Sequence, residues 1–162
     1  MGWLLLFLAA TAVFQLPAQQ TEADRKSLAD LRAKAEKGDA QSQYDLGRAF
    51  DHWTFGLFGV TNDAVEAVKW YRRAAEQNHA LAQSSLGVCY YMGDGVPKDV
   101  VEALKWWRKA AEQNVAEAQY NLAGRYANGE GVAKDLEKAR RWYRVAQQRG
   151  DPDAGESLRR LG

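Results

Sequence analysis

The side chains able to carry chemistry are few: two histidines, one cysteine, five serines and 21 carboxylates in 162 residues. A serine nucleophile of the Ser-x-x-Lys kind is excluded, since Asp30, Asp45, Gly87, Val88 and Arg160 stand three residues after Ser27, Ser42, Ser84, Ser85 and Ser157. His52 and His79 form no His-Glu-x-x-His pair, and one cysteine supplies no zinc set. Gly93-Asp94-Gly95 runs into Val96-Pro97 rather than opening a helix, so it is no phosphate loop. Carboxylate pairs sit at salt-bridge spacing on helical stretches, which suits solvated faces better than acid–base work. Cys89, alone between Val88 and Tyr90, excludes an intrachain disulfide and reads as a small packed thiol. No cofactor or metal is expected, a weak hydrolase is the one catalytic reading left, and a binding protein is the stronger one.

The elements that must carry any binding surface are copies of one unit. Ala82-Gln83, Leu86, Tyr90, Gly93, Gly95, Val96, Asp99 and Trp106 fall on Ala118-Gln119, Leu122, Tyr126, Gly129, Gly131, Val132, Asp135 and Trp142. Going back, Trp106 falls on Trp70 and Leu86-Gly87 on Leu46-Gly47. Stacked units of this size cannot bury their apolar faces alone. First helices are expected at about 40–51, 80–92 and 116–128, and second helices are expected to begin at Asp63, Asp99 and Asp135. Asp63-x-x-Glu66 and Asp99-x-x-Glu102 read as capping boxes. Gly38, Asn78, Asn114 and Gly150 mark helix ends that need a left-handed residue. Asp39 and Asp151 read as N-caps, with Pro152 in a first turn. Gly47, Gly87 and Ala123 share a slot where a neighbouring helix passes closely, and the pairs Trp70-Tyr71, Trp106-Trp107 and Trp142-Tyr143 point about 100° apart, so that one ring enters its own pair and the other the next unit. The divisions follow: residues 19–38 as a capping helix, repeats at 39–78, 79–114 and 115–150, and a closing helix at 151–162. Within the first of these, Leu28, Leu31 and Ala35 form its apolar stripe.

The pattern Ala-Gln-x-x-Leu-Gly-x-x-Tyr, then Gly-x-Gly-Val-x-x-Asp, then Ala-x-x-Trp-Tyr/Trp-x-x-Ala closely resembles the Sel-one-like repeat, a longer-looped relative of the tetratricopeptide repeat, over about residues 39–161. The resemblance implies an all-α fold, a right-handed α/α superhelical solenoid of three repeats with capping helices at both ends. It also implies a non-enzymatic adaptor whose first helices line a concave face, of a kind often exported or regulatory in bacteria and implicated in scaffolding membrane-associated complexes in eukaryotes. A cysteine-rich bacterial branch ties each helix pair with a disulfide and has been linked to β-lactam binding. This chain lacks those pairs, so that association does not transfer.

By the same resemblance the concave face presents Gln41, Tyr44, Asp45 and Arg48, then Ser84, Ser85, Val88 and Tyr91, then Tyr120, Asn121 and Gly124. Such a groove would hold an extended or helical peptide through aromatic contacts and polar anchors; alternatively these residues are simply solvated. The first copy departs from the plan between its helices, where Asp51–Val60 is four residues longer than Tyr91–Val96. His52, Trp53, Phe55 and Phe58 lie in it, either folded onto the stack or docking a partner or membrane surface.

A net charge of +1, from 22 Lys/Arg against 21 Asp/Glu, gives no reason to expect nucleic acid or an anionic membrane as partner. Eight Lys/Arg against five acids between Lys134 and Arg160 make the end of the chain more basic, but interleaved at helical spacing. Residues 1–18 carry no charged side chain, and the apolar run Trp3–Phe14 fits a secretory signal ahead of polar Gln19-Gln20-Thr21, or an uncleaved anchor. Export to the periplasm or the medium, a monomer, and a protein or peptide partner are the expectations, with membrane contact through the amino-terminal segment as the alternative.

Overall fold

The computed structural model describes residues 21–51 and 61–162. Residues 1–18 and the loop residues His52, Trp53, Phe55 and Phe58 lie outside the described residues, and so do the readings placed on them. The described chain is helical: α1 (Glu22–Glu36), α2 (Ala40–Phe50), α3 (Ala64–Glu76), α4 (Ala80–Met92), α5 (Val100–Glu112), α6 (Ala116–Asn128), α7 (Leu136–Gln148) and α8 (Ala154–Arg160). No strand occurs among the described residues. The main contacts are all between consecutive helices, with α2 on α3, α4 on α5 and α6 on α7 the most extensive. The result is a right-handed α/α solenoid, capped by α1 and α8.

The repeated residues explain why this stack holds. Leu46, Leu86 and Leu122 are buried to within 1% of full exclusion, one in each unit. Facing them, the second ring of each aromatic pair, Tyr71, Trp107 or Tyr143, is buried. The shared small slot is what lets these rings in. A Cβ on Gly47 would stand 2.6 Å from Tyr71 Cδ1, and one on Gly87 would stand 2.5 Å from Trp107 Cδ1. The first rings depart from the expectation of reaching the next unit: Trp70 lies within the cluster spanning α1 to α4, Trp106 packs back against that same cluster, and Trp142 joins the clusters on either side of α6.

Helix ends follow the sequence closely, with two corrections. Asn78 and Asn114 adopt φ 66° and Gly38 and Gly150 adopt 97° and 89°, so all four are left-handed. Asp39, Asp63, Asp99 and Asp135 accept hydrogen bonds from backbone N–H groups three residues on. The expected capping boxes at Asp63 and Asp99 are only half formed, however. Their own N–H groups donate to Phe50 O at 2.9 Å and Tyr90 O at 2.8 Å, which ties each second helix to the end of the first. Glu66 is therefore released to Trp70 Nε1 and Lys69. A reciprocal box forms instead at Thr21 and Asp24. At the far end α8 starts at Ala154, later than expected; Pro152 lies in the preceding turn, and Asp151 Oδ1 accepts from the N–H groups of Asp153 and Ala154.

Beneath the first helices runs a chain of buried amides that the leucine and tryptophan pattern overshadows. Gln43, Gln83 and Gln119 are at most 4% exposed, and each Nε2 donates to the carbonyl of Ala35, Ala75 or Ala111 in the preceding helix. The Oε1 atoms of Gln43 and Gln83 accept from the end of the second helix of the same unit, Gln77 onto Gln43 at 2.7 Å and Gln113 onto Gln83 at 2.8 Å. Arg149 occupies the register of Gln77 and Gln113 and turns to Asn114 Oδ1 instead, so Gln119 Oε1 is left buried and unpaired.

Candidate partner-binding groove

The first helices α2, α4 and α6 lie side by side and turn one face away from their second helices. On that face Gln41 is exposed, and Tyr44, Asp45, Arg48, Ser85, Val88, Tyr91, Tyr120, Asn121 and Gly124 are half-buried. Ser84 departs from the expectation. It is 1% exposed, its carbonyl accepts from Trp107 Nε1 at 3.2 Å, and its hydroxyl donates to Glu117 at 3.4 Å. Ser84 shares a register with Tyr44 and Tyr120, and so small a side chain at that slot stays below the surface its neighbours reach.

Two pockets divide the face. One, of about 420 Å³, lies between α2 and α4 and takes in Tyr44, Arg48, Ser85 and Val88. The other, of about 290 Å³, collects Tyr120, Asn121 and Gly124 with Arg125, Ser157 and Arg160, between α6 and α8. Tyr91 lines neither: its ring packs on Trp107 at 5.6 Å and carries the Arg125 guanidinium at 4.3 Å, which pairs with Glu130 at 3.1 Å. Gln41 and Asp45 also stand outside both pockets. Gln41 Nε2 donates to Asp45 at 3.0 Å, and its Oε1 faces His79 Nε2 at 3.0 Å.

His79, expected to serve the helix junction, caps α4. Its Nδ1 accepts from Ala82 N–H at 3.2 Å, which leaves Nε2–H to donate to Gln41. Tyr44 stacks on this ring at 4.8 Å, so one histidine fixes both the start of α4 and an aromatic wall of the groove. Burial pulls the His79 pKa below the usual histidine value, opposed by the carboxylates of Asp45 and Asp39.

Six groove residues escaped the sequence reading: Asp51, Tyr71, Cys89, Met92, Asp94 and Glu117. Cys89 and Met92 each stand four residues after Ser85 and Val88 along α4, so helical spacing alone carries the signal for both. Asp51 accepts from Tyr71 O–H at 2.8 Å, a contact between the end of α2 and the middle of α3 that no local spacing reveals. Burial, with Asp51 adding, raises the Tyr71 pKa, so the phenol remains a donor. Burial likewise pushes the Cys89 thiol up to about 12, with Asp51 and Asp94 contributing. A thiol held protonated at neutral pH is a packing group rather than a nucleophile. Among the described residues no cluster of three His, Cys, Asp or Glu side chains could hold a metal.

A geometry of this kind has relatives. The Sel1 repeat model matches residues 40–79, 80–115 and 116–151. The crystal structure of a protective antigen of uropathogenic Escherichia coli strains, described as displaying an SLR fold, is 38% identical, with a TM-score of 0.72. That match covers 80% of this chain but 27% of the antigen. A Sel1 repeat protein from Oxalobacter formigenes is 36% identical, with a TM-score of 0.75, over 84% of this chain and 55% of that one. Helicobacter pylori cysteine rich protein B, 20% identical, shares the fold at a TM-score of 0.65 over 88% of this chain and 100% of its own. No curated protein matches. The chain thus spans well under two-thirds of the first two structures it resembles. Sel1 repeats generally act as scaffolds for protein–protein interaction. With three consecutive matched units over most of its length, the chain belongs to the Sel1 repeat family.

Proposed function

We propose that the protein is a non-enzymatic adaptor that holds a peptide or protein segment along the face of its first helices, and that it works outside the cytoplasm. The observation that carries the reading is the groove between α2 and α4. Apolar groups of Tyr44, Val88, Cys89 and Met92 are gathered there with charged side chains around them, and Met92 is 54% exposed. A pocketed, mostly apolar floor with a few polar groups is the usual form of a recognition site. The uncharged run Trp3–Phe14 supports export. A photoreactive residue placed at Ser85 should crosslink a partner in cells, whereas one at exposed Lys105 on α5 should not. Equal capture at both positions would contradict the reading.

The same apolar run supports the alternative, an envelope component anchored by an uncleaved amino terminus. No helix among the described residues is long and apolar enough to cross a membrane. Cell fractionation separates the two readings, since a mature form starting near Gln19 in the soluble fraction favours the adaptor.

A further inference from the structure

We propose that the groove between α2 and α4 selects a partner segment that sets a lysine or arginine beside an aliphatic or aromatic side chain. The inference rests on the reading of this face as the binding face and adds the chemistry of its occupant. Three carboxylates, Asp51, Asp94 and Glu117, stand around the groove against one guanidinium, Arg48. The whole chain carries +1, so the groove is opposite in sign to the molecule that holds it. The second pocket shows the reverse balance, with Arg125 and Arg160 and no carboxylate in its lining, so the acidity belongs to the first pocket and not to the face as a whole. A cleft lined by one sign of charge with apolar walls focuses its field on an entering ligand.

Two of these carboxylates, Asp51 and Glu117, differ in what they can still do. Asp51 is engaged by the Tyr71 hydroxyl. Glu117, on the first turn of α6, is exposed, takes one long hydrogen bond from Ser84 at 3.4 Å, and forms no ion pair among the described residues. A cationic side chain entering the groove gains a charge-assisted hydrogen bond at Glu117. An apolar neighbour on the same segment covers Met92 and Val88. An acidic segment meets like charge at the same place, which discriminates against it.

The test is fluorescence anisotropy on the full chain with three labelled dodecapeptides, built from Leu, Lys and Ser, from Leu, Glu and Ser, or from Lys and Ser alone. The Leu/Lys peptide should bind tightest, and more weakly as salt rises. Glu117→Gln should weaken it by about threefold, Glu117→Lys should turn the preference to the Leu/Glu peptide, and Met92→Gln should weaken it without changing the preference. Both residues are exposed, so matching thermal midpoints will show the variants folded. If Leu/Glu is preferred by the unaltered protein, or Leu/Lys affinity is the same in both Glu117 variants, the cation proposal falls. The face remains a binding face in that case provided Met92→Gln still weakens binding. If no peptide binds, or Met92→Gln changes none of the three affinities, both the cation proposal and the groove reading fall.

Discussion

Single side chains decide how well each unit is joined to the next, and two of them make separable predictions. Burial holds the folded His79 pKa below the unfolded value, and the cap it makes on α4 through an unprotonated Nδ1 likewise needs the neutral ring. A group depressed in this way contributes its full stability above the unfolded pKa, near 6.5, and loses it as the pH falls through that value. Urea denaturation at pH 7.5 and 5.0 should therefore show a loss at the lower pH. Substituting His79→Asp, the residue that caps α2 at the same slot, should flatten the dependence over this interval. An unchanged slope in the variant would place the acid sensitivity elsewhere. Arg149 is the second case. It leaves Gln119 Oε1 buried without a donor, whereas Gln77 and Gln113 satisfy the equivalent atoms. Arg149→Gln should stabilise the protein by about 1 kcal/mol, the usual worth of a buried hydrogen bond regained, and a denaturation midpoint that moves down would contradict that account.

At the scale of helices, the close approach of each pair depends on the absence of a methyl group. Gly87→Ala should gain about 1 kcal/mol of helix propensity yet destabilise the protein overall, because the added Cβ would overlap the Trp107 indole at 2.5 Å. Overpacking of this kind costs typically about 1–3 kcal/mol. The third unit carries Ala123 at that slot, in one cluster with Tyr143, so the methyl is already accommodated there. Thermal unfolding of Gly87→Ala checks the sign. The helices and their ends were legible because they rest on local chemistry: a left-handed Asn at 78 and 114, an Asp cap at 63, 99 and 135, and a leucine every unit. The shared small slot could also be read, since a glycine inside a helix needs a packing reason. The half-formed boxes at Asp63 and Asp99 could not, because their N–H groups go to the carbonyls of Phe50 and Tyr90, thirteen and nine residues back. The glutamine chain repeated as faithfully as the leucines, but a buried amide has meaning only once its donor and acceptor helices are side by side.

Across the whole molecule, contacts run from each helix to the next, so the stack is quasi-one-dimensional and its binding face is built by adding units. Eleven positions were expected to form one continuous surface. Ser84 is buried, Gln41, Asp45 and Tyr91 stand outside the pockets, and the remaining seven fall into two, one edged by three carboxylates and the other by two arginines that pair with Glu130 and Glu156. Helical register placed residues on the face, but the depth of each depends on side-chain size at the neighbouring slot, and the charge of the first pocket depends on Asp51, Asp94 and Glu117 arriving from three different segments. The second glycine of each Gly-x-Gly turn helps fix this arrangement. Gly95 has φ 67° and lies so close to the Ala64 carbonyl that a Cβ there would stand 2.1 Å from its oxygen, which seats the turn of one unit on the start of the second helix before it.

The central claim is that the first helices, and α2 with α4 above all, form the working surface. Amide hydrogen exchange of the full chain, with and without a saturating Leu/Lys peptide, tests it most directly. Slowed exchange in α2 and α4 with α5 and α7 unchanged is the predicted result; protection confined to α5 and α7, on the side of the second helices, would contradict it.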